Sequence, residues 1–425
     1  MTEIQRIGER ALAAMHAAGF DASQVSASIS IQDELNVAHN EASLLRSTED
    51  HRLQLIGIVD GRKASTEISD LSEAGVAAVA DTLYQQALMA PVDEANCVSV
   101  NQSLEFEGGP QAGDLDVLAT KVSELLEFQR EQTPLMKVEE GSASHRLTQS
   151  RTLTSAGTDI SSSVGAYSLM VMGTATDGEQ SSSFNYAGGT TDDLSGAHAT
   201  EYFGIAEMLR ETELQISTHS LSANFSGDVV LSPLASSDLL AWLVTQLGDM
   251  QLISGNSVYR DSVGEMIASP LLSIASRFDG PGLTPVSGDA CVAHPLLIVD
   301  KGQLTGLLPS LYGSQKTGLS HSPTASGWQI SSGSTPKDGL CEGVDHGAWV
   351  GRLSMGRPAS NGDFSGVIKG SFEIVDGSRQ GALSEVMISG NMSQMLKNIS
   401  AVSRETLDSG SENLPWMRIG GLYFS

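Results

Sequence analysis

Val229-Val-Leu-Ser-Pro-Leu-Ala-Ser-Ser237 reads as a buried strand that runs straight into a helix, and the layout of the chain works outward from it. Val229, Val230 and Leu231 are consecutive apolar residues, the pattern of a strand covered on both faces. Ser232 offers a hydroxyl to the first unpaired amides of a helix, and Pro233 takes the first helical position, where its missing N–H costs nothing. Leu239, Leu240, Leu243 and Leu247 recur at helical spacing and give that helix its apolar face. Strand and helix are therefore packed as layers.

Downstream the pattern is strand-rich. Leu296-Leu-Ile-Val-Asp-Lys-Gly-Gln-Leu-Thr is a hairpin about Asp300-Lys301-Gly302, and a second turn falls at Asp376-Gly377, between 372–375 and 383–388. A short helix over 391–402 carries Met392, Met395, Leu396 and Ile399, and 417–425 is a strand inserted into a sheet. Upstream, Ile4, Ile7, Ala11, Ala14 and Met15 mark a helix closed by Gly19, and Val25, Ala27, Ile29 and Ile31 alternate as a half-buried strand. Leu53 to Val59 is a further strand, and Asp60-Gly61 supplies the left-handed positions of a tight hairpin. Asp70-Leu-Ser-Glu73 is a capping-box pattern before a helix with Val76, Val79, Ala80, Leu83 and Ala87 on one face. Residues 91–113 read as a connection. A helix with Leu115, Leu118, Val122, Leu125 and Leu126 follows, then short strands over 146–189 and a helical stretch over 197–213. The fold class is α+β. An N-terminal α+β domain with an antiparallel sheet spans 1–220, with a possible sub-boundary near 91–113. A C-terminal β-rich, barrel-like domain with a few packed helices spans 221–425.

A chain of 425 residues with 40% hydrophobic residues can bury two cores. Its formal charge of −27 works against a nucleic-acid groove, because phosphate binding needs clustered Lys and Arg. Cys97, Cys291 and Cys341 form no Cys-x-x-Cys pair, which suits a reducing compartment. No apolar run is long enough to cross a bilayer, and the first residues lack the apolar core of a secretory leader. The expectation is a soluble cytoplasmic protein with no nucleic-acid or membrane partner.

Four stretches near the end of the chain carry a family resemblance. They are Asn361-Gly-Asp-Phe-Ser365, Gly370-Ser-Phe-Glu-Ile-Val-Asp-Gly377, Glu385-Val-Met-Ile-Ser-Gly-Asn-Met-Ser-Gln-Met-Leu-Lys-Asn-Ile399 and Leu414-Pro-Trp-Met-Arg-Ile-Gly-Gly421. In order and spacing they resemble the TldD/TldE (PmbA) metallopeptidase family, once described as modulators of DNA gyrase. Catalytic subunits of that family carry His-Glu-x-x-x-His on a helix, which holds zinc and supplies a base for a zinc-bound water. No histidine here is followed by glutamate. Laid onto this sequence, the motif's first histidine falls on Ser232, its glutamate on Pro233 and its second histidine on Ser237. The family's further cysteine ligand lies near the C-terminus, and no cysteine follows Cys341.

The resemblance therefore implies a TldE/PmbA-like, non-catalytic subunit of a cytoplasmic TldD–TldE peptidase. It implies no cofactor or metal in this chain and zinc in a TldD-like partner. Peptides or unfolded segments are the expected substrates, and this chain would complete the chamber that holds them; a homodimer through the same surface is a further expectation. Asn361, Asp363, Phe364 and Ser365 are the candidates for substrate contact, beside a plain reading as a turn leading into a strand. The alternative of a different class is a non-hydrolytic peptide-binding homodimer that captures extended segments on a sheet edge. A hydrolase with a relocated site is the third reading. Cys341-Glu-Gly-Val-Asp345-His346 gathers a thiol, two carboxylates and an imidazole but reads better as a polar loop, and Cys291 with His294 reads better as packing than as half of a metal site.

Overall fold

The computed structural model describes residues 3–324 and 326–425. Its first half is built on an eight-stranded sheet. Strands Arg62–Ile68, Glu41–Val59, Ala22–Ala38, Met136–Thr154 and Asp159–Asp177 lie side by side in that order, each antiparallel to the next, and Ser103–Gly108 adds a parallel edge. Asn185–Thr191 pairs with the far end of Asp159–Asp177.

The two faces of this sheet differ in chemistry because the strands alternate. Val25, Ala27, Leu53, Leu55 and Leu153 face the helices Glu3–Ala18 and Glu73–Met89. Val37, Met136, Val138, Leu169 and Val171 pack with the helices Leu115–Gln132 and Ile205–Leu214. The intervening positions of the same strands are hydroxyls. Ser30 bonds Thr148 at 2.9 Å, Ser150 bonds Ser162 at 2.7 Å, and Thr152 donates to Ser26 at 3.0 Å.

The second half is a mixed sheet of fourteen strands among the described residues. Its centre is the strand Glu412–Phe424, which pairs antiparallel with Phe225–Leu231, Val386–Asn391 and Ile399–Asp408 and parallel with Gly327–Ile330. Phe225–Leu231 is in turn parallel to His346–Val350. The helix Pro233–Leu247 lies against this sheet, burying Leu239, Leu240, Leu243 and Leu247 with Met417, Ile419 and Phe424. The α+β class expected from the sequence is the observed one.

Close backbone contact joins the halves. Thr190 donates its N–H to Ser409 O at 3.0 Å, next to the ion pair in which the buried Arg277 grips Asp408 of its own half with two bonds of 2.6 and 2.7 Å. A Cβ at Gly410, whose φ is 96°, would sit 2.8 Å from Thr190 O, so that crossing requires glycine.

Several elements differ from the sequence-based reading. The strands expected over 25–31, 53–59 and 146–189 are parts of strands of 17 to 19 residues, Ala22–Ala38, Glu41–Val59, Met136–Thr154 and Asp159–Asp177. Their hydroxyl faces and the charged stretch 41–52 hide the apolar alternation. The connection 91–113 contains the strand Ser103–Gly108. Ser72, not Asp70, caps the second helix: its hydroxyl accepts from Gly75 N–H, while Asp70 accepts from Ser72 N–H. Leu115 is exposed. The turn at Asp376-Gly377 leads into Ser378–Leu383, ahead of the strand expected over 383–388. The last helix stops at Lys397, because from Ile399 onward the backbone pairs with Glu412–Phe424.

Two outcomes are expected for the helix Pro233–Leu247. Ser232→Ala removes the cap and should cost about 1–2 kcal/mol in urea unfolding, whereas Ser237→Ala should change stability by less than about 0.5 kcal/mol. Asp238 is half-buried, and burial, with Glu412 adding repulsion, pushes its carboxyl up to about 6. An acid raised in the folded state costs nothing below its unfolded value near 3.8, destabilises progressively as pH climbs to about 6, and carries the full penalty above that. Asp238→Asn should therefore stabilise by about 1 kcal/mol at pH 8, after allowance for solvent screening, and be neutral near pH 3.5. Equal shifts at both pH values in thermal melts would rule out that origin.

Candidate functional site

The strand-to-helix junction is held through Ser232. Its N–H donates to Val350 O at 3.0 Å, its hydroxyl donates to Gly351 O at 2.5 Å, and the same oxygen accepts Ala235 N–H at 3.2 Å. The side chain is thus fully engaged in joining the helix start to the end of the neighbouring strand. Pro233 is buried, and Ser237 is half-buried one turn further on.

This helix start opens on a cleft between the two halves. Ser232, Pro233 and Leu234 form one wall with Trp349, Glu412, Leu414 and Trp416, and Tyr186, Phe203, Glu207 and Glu211 form the other. Two of the carboxylates are neutralised by cations packed on aromatic rings. Lys337 reaches Glu207 at 2.6 and 2.7 Å and lies 4.1 Å over the Trp416 ring. Arg379 bonds Glu211 at 2.5 Å while its guanidinium stacks 3.6 Å from the Phe372 ring centre. Burial pushes the Glu211 carboxyl up, and Arg379 opposes that shift. No histidine or cysteine lines this cleft among the described residues. Its chemistry is that of an aromatic and aliphatic groove with one acidic residue, Glu412, lacking a cationic partner among the bonds and ion pairs found.

A second cleft lies under the hydroxyl face of the first sheet. Ser144, Thr148, Ser150, Thr152, Ser162 and Ser168 form its floor, and Gly282, Thr284 and Ser287 from the second half close it. A surface dense in donors and acceptors, with Arg146 as its one charged lining residue, matches the backbone of an extended peptide.

The stretch 361–365 is apart from the Ser232 cleft. Asn361 donates to Asp363 at 2.8 Å, Asn391 donates to Asp363 and to Asn361 O, and Gly362, at φ 93°, accepts Met392 N–H. These bonds hold the Asp363 carboxyl below its ordinary value. Phe364 is in the core, whereas Asn361, Asp363 and Ser365 are exposed.

Within 341–346, Cys341 is buried in a small core and His346 stacks on Phe225 with 3.6 Å between ring centres. His346 and His219 each bond one oxygen of Glu373 at 2.8 Å. Burial pushes the Glu373 carboxyl up, but the two imidazoles outweigh it and leave it below its usual value. His294 is exposed and Cys291 buried; the side chains gathered with Cys291 are instead Asp289 and His321. Neither the His219–Glu373–His346 bridge nor the Cys291 grouping was found from the sequence, since no short spacing signals either.

Residues 225–425 match the family model described as PmbA/TldA metallopeptidase C-terminal domain. In sequence the chain is 28% identical over 246 residues to the Metalloprotease PmbA of Escherichia coli O157:H7, covering 54% of this chain and 53% of that one. It is also 28% identical over 170 residues to a metalloprotease of Methanothermobacter thermautotrophicus, covering 36% and 37%. The chain thus spans about half, or less, of the length of these curated relatives. In structure it resembles TldE from Thermococcus kodakarensis, with a TM-score of 0.84 at 18% identity over 99% of this chain and all of the other. It likewise resembles a Bacteroides thetaiotaomicron protein provisionally described as a modulator of DNA gyrase, with a TM-score of 0.86 at 20% identity over 100% and 99%. At such identities the structural likeness speaks to the fold, and the fold is TldE-like. Taken with the sequence matches and the four stretches between Asn361 and Gly421, it identifies residues 225–425 as a PmbA/TldD metallopeptidase-family C-terminal domain within a chain of TldE-like fold.

Proposed function

We propose that this chain is a TldE/PmbA-like subunit of a cytoplasmic TldD–TldE type metallopeptidase. In this reading it carries no zinc at the Ser232–Ser237 junction, and a TldD-like partner supplies metal and hydrolysis. The observation that carries the proposal is the bonding of Ser232. A zinc ligand needs a free lone pair aimed at the metal, whereas this hydroxyl is committed to Gly351 O and Ala235 N–H. Pro233 has no acid–base group, and the surrounding cleft lacks the imidazoles and thiolates that zinc prefers. The residues present do not fit the metal there, and no catalytic step is assigned to them.

This chain's contribution is a wall of the substrate chamber. The aromatic groove would take apolar side chains of a peptide, and the hydroxyl-lined floor would bond its backbone. The turn at 361–365 holds the start of the helix Met392–Lys397, leaving Asn361, Asp363 and Ser365 as outer contacts to substrate. Residues 1–220 and 221–425 serve as the two domains that form the chamber. Three free cysteines suit a cytoplasmic location, and no helix among the described residues is long and apolar enough to cross a membrane. A net charge of −27 works against binding DNA.

A specific observation also favours the peptide-binding homodimer. Among the described residues, the strand Glu41–Val59 is covered on its outer edge only from Leu53 to Val59, by Arg62–Ile68. Residues 41–52 therefore present an unpaired edge, with Leu44 and Leu45 exposed beside it.

Peptidase activity is expected only when the chain is mixed with a TldD-like protein carrying His-Glu-x-x-x-His. Chelator-sensitive cleavage of peptides by the purified chain alone would overturn the subunit assignment. In light scattering at micromolar concentration the isolated chain should show about twice its 44.6 kDa mass. A monomer that stays monomeric when added salt shortens the screening length below ~8 Å would leave association to the heterologous partner.

A further inference from the structure

Outside the junction, one group of side chains has the composition and convergence of a metal site. Asp289, Cys291 and His321 each offer a ligating atom, and these atoms all lie within 4.8 Å of one another. Asp289 and Cys291 come from one tight loop, in which Ser287 N–H donates to Cys291 O at 2.8 Å and Ala290 N–H to Ser287 O at 3.0 Å. His321 arrives from beyond the helix Leu311–Thr317, with Nε2 3.1 Å from Asp289 Oδ2. The carboxylate is already oriented. Leu311 N–H donates to Oδ2 at 2.5 Å and the Ser287 hydroxyl donates to Oδ1, the kind of outer support that metal-binding carboxylates keep.

Cysteine, histidine and aspartate also make up nucleophilic relays, and the geometry separates the two uses. In a relay the imidazole stands between thiol and carboxylate, which keeps sulfur and oxygen roughly 7 Å apart, two hydrogen bonds plus the width of the ring. Here oxygen, nitrogen and sulfur surround a single point. We propose that Asp289, Cys291 and His321 bind a divalent transition-metal ion of borderline softness, zinc by preference, at a site separate from Ser232–Ser237.

Mixed sulfur, nitrogen and oxygen donors suit zinc, and a thiolate plus a carboxylate balance its two charges. On binding, the Cys291 thiol gives its proton to solvent, His321 ligates as neutral imidazole, and its bond to Asp289 is exchanged for bonds to the ion. Tetrahedral ligands at zinc bond lengths stand roughly 3.3–3.8 Å apart, so the group has to draw in by about an ångström. Asp289 also lines a cleft shared with Cys97, Asp249 and Tyr312, which gives a water, as fourth ligand, a route to the ion. The site adjoins a contact between the halves, where Val292 N–H donates to Gln102 at 3.1 Å. It departs from the expectation of a metal-free chain and does not depend on the subunit assignment.

The test uses the full chain, stripped with a chelator and titrated with cobalt(II) and then zinc. One equivalent of cobalt should bind at micromolar concentration with a thiolate charge-transfer band, and zinc should displace it and raise the melting temperature. Cys291→Ser should abolish the band, and His321→Ala should weaken binding at least about tenfold and remove the zinc-dependent rise. Melts without metal show whether each variant is folded, and Cys341→Ser should behave as wild type. Failure of wild type to bind an equivalent, or a band that survives Cys291→Ser, overturns the proposal.

Discussion

The strand Glu412–Phe424 is the constraint on which the second half rests. It shares backbone bonds with four other strands, so register along its 13 residues fixes the positions of all of them. Met417, Ile419 and Phe424 are buried under the helix Pro233–Leu247, while Glu412, Leu414 and Trp416 reach the cleft at that helix's start. A slip of one residue would turn Met417 and Ile419 away from the helix and carry Glu412 and Trp416 off the cleft, losing core and cleft together. The junction at Ser232 is anchored in the same way: Phe225–Leu231 lies between this strand and His346–Val350, and Ser232 bonds the end of the latter.

Electrostatics at the cleft follow from how its charges are packed. Lys337 and Arg379 each meet a carboxylate on one side and an aromatic face on the other. A cation held this way keeps its charge partly desolvated without being stranded, since ring and carboxylate both favour it. The arrangement leaves an apolar groove in a chain whose overall charge is −27, so local surface and net charge give opposite impressions of what this region can bind.

Legibility of the sequence followed the strength of local rules. Ser232-Pro233 could be read because few residues satisfy a helix start so well, and the turns at Asp60-Gly61, Lys301-Gly302 and Asp376-Gly377 because each needs positive φ at two successive positions. The long strands were only half visible. Ser30 bonds Thr148, Ser150 bonds Ser162 and Thr152 bonds Ser26, so hydroxyls replace the apolar residues that mark a strand. Met392–Lys397 was read too long because its last apolar residue, Ile399, belongs to the core as part of a strand instead. At the candidate sites, Ser232 and Pro233 were legible from the helix-start rule and the family resemblance. His321 beside Cys291 and His219 beside Glu373 were not, being joined only by tertiary packing.

The glycine crossing between the halves bears on motion. Many two-domain proteins open and close about a hinge, a loop that absorbs a large change in backbone angles. Here Gly410 meets the Thr190 backbone with no side chain on the glycine to hold them apart, Thr190 N–H donates to Ser409 O, and Val292 N–H donates to Gln102. Swinging the halves apart would break all three contacts at once, so the lowest-energy displacements are those of the side chains lining the clefts. The gap between the sheets is then set by backbone contacts, and its side chains, not the halves themselves, are what can give way.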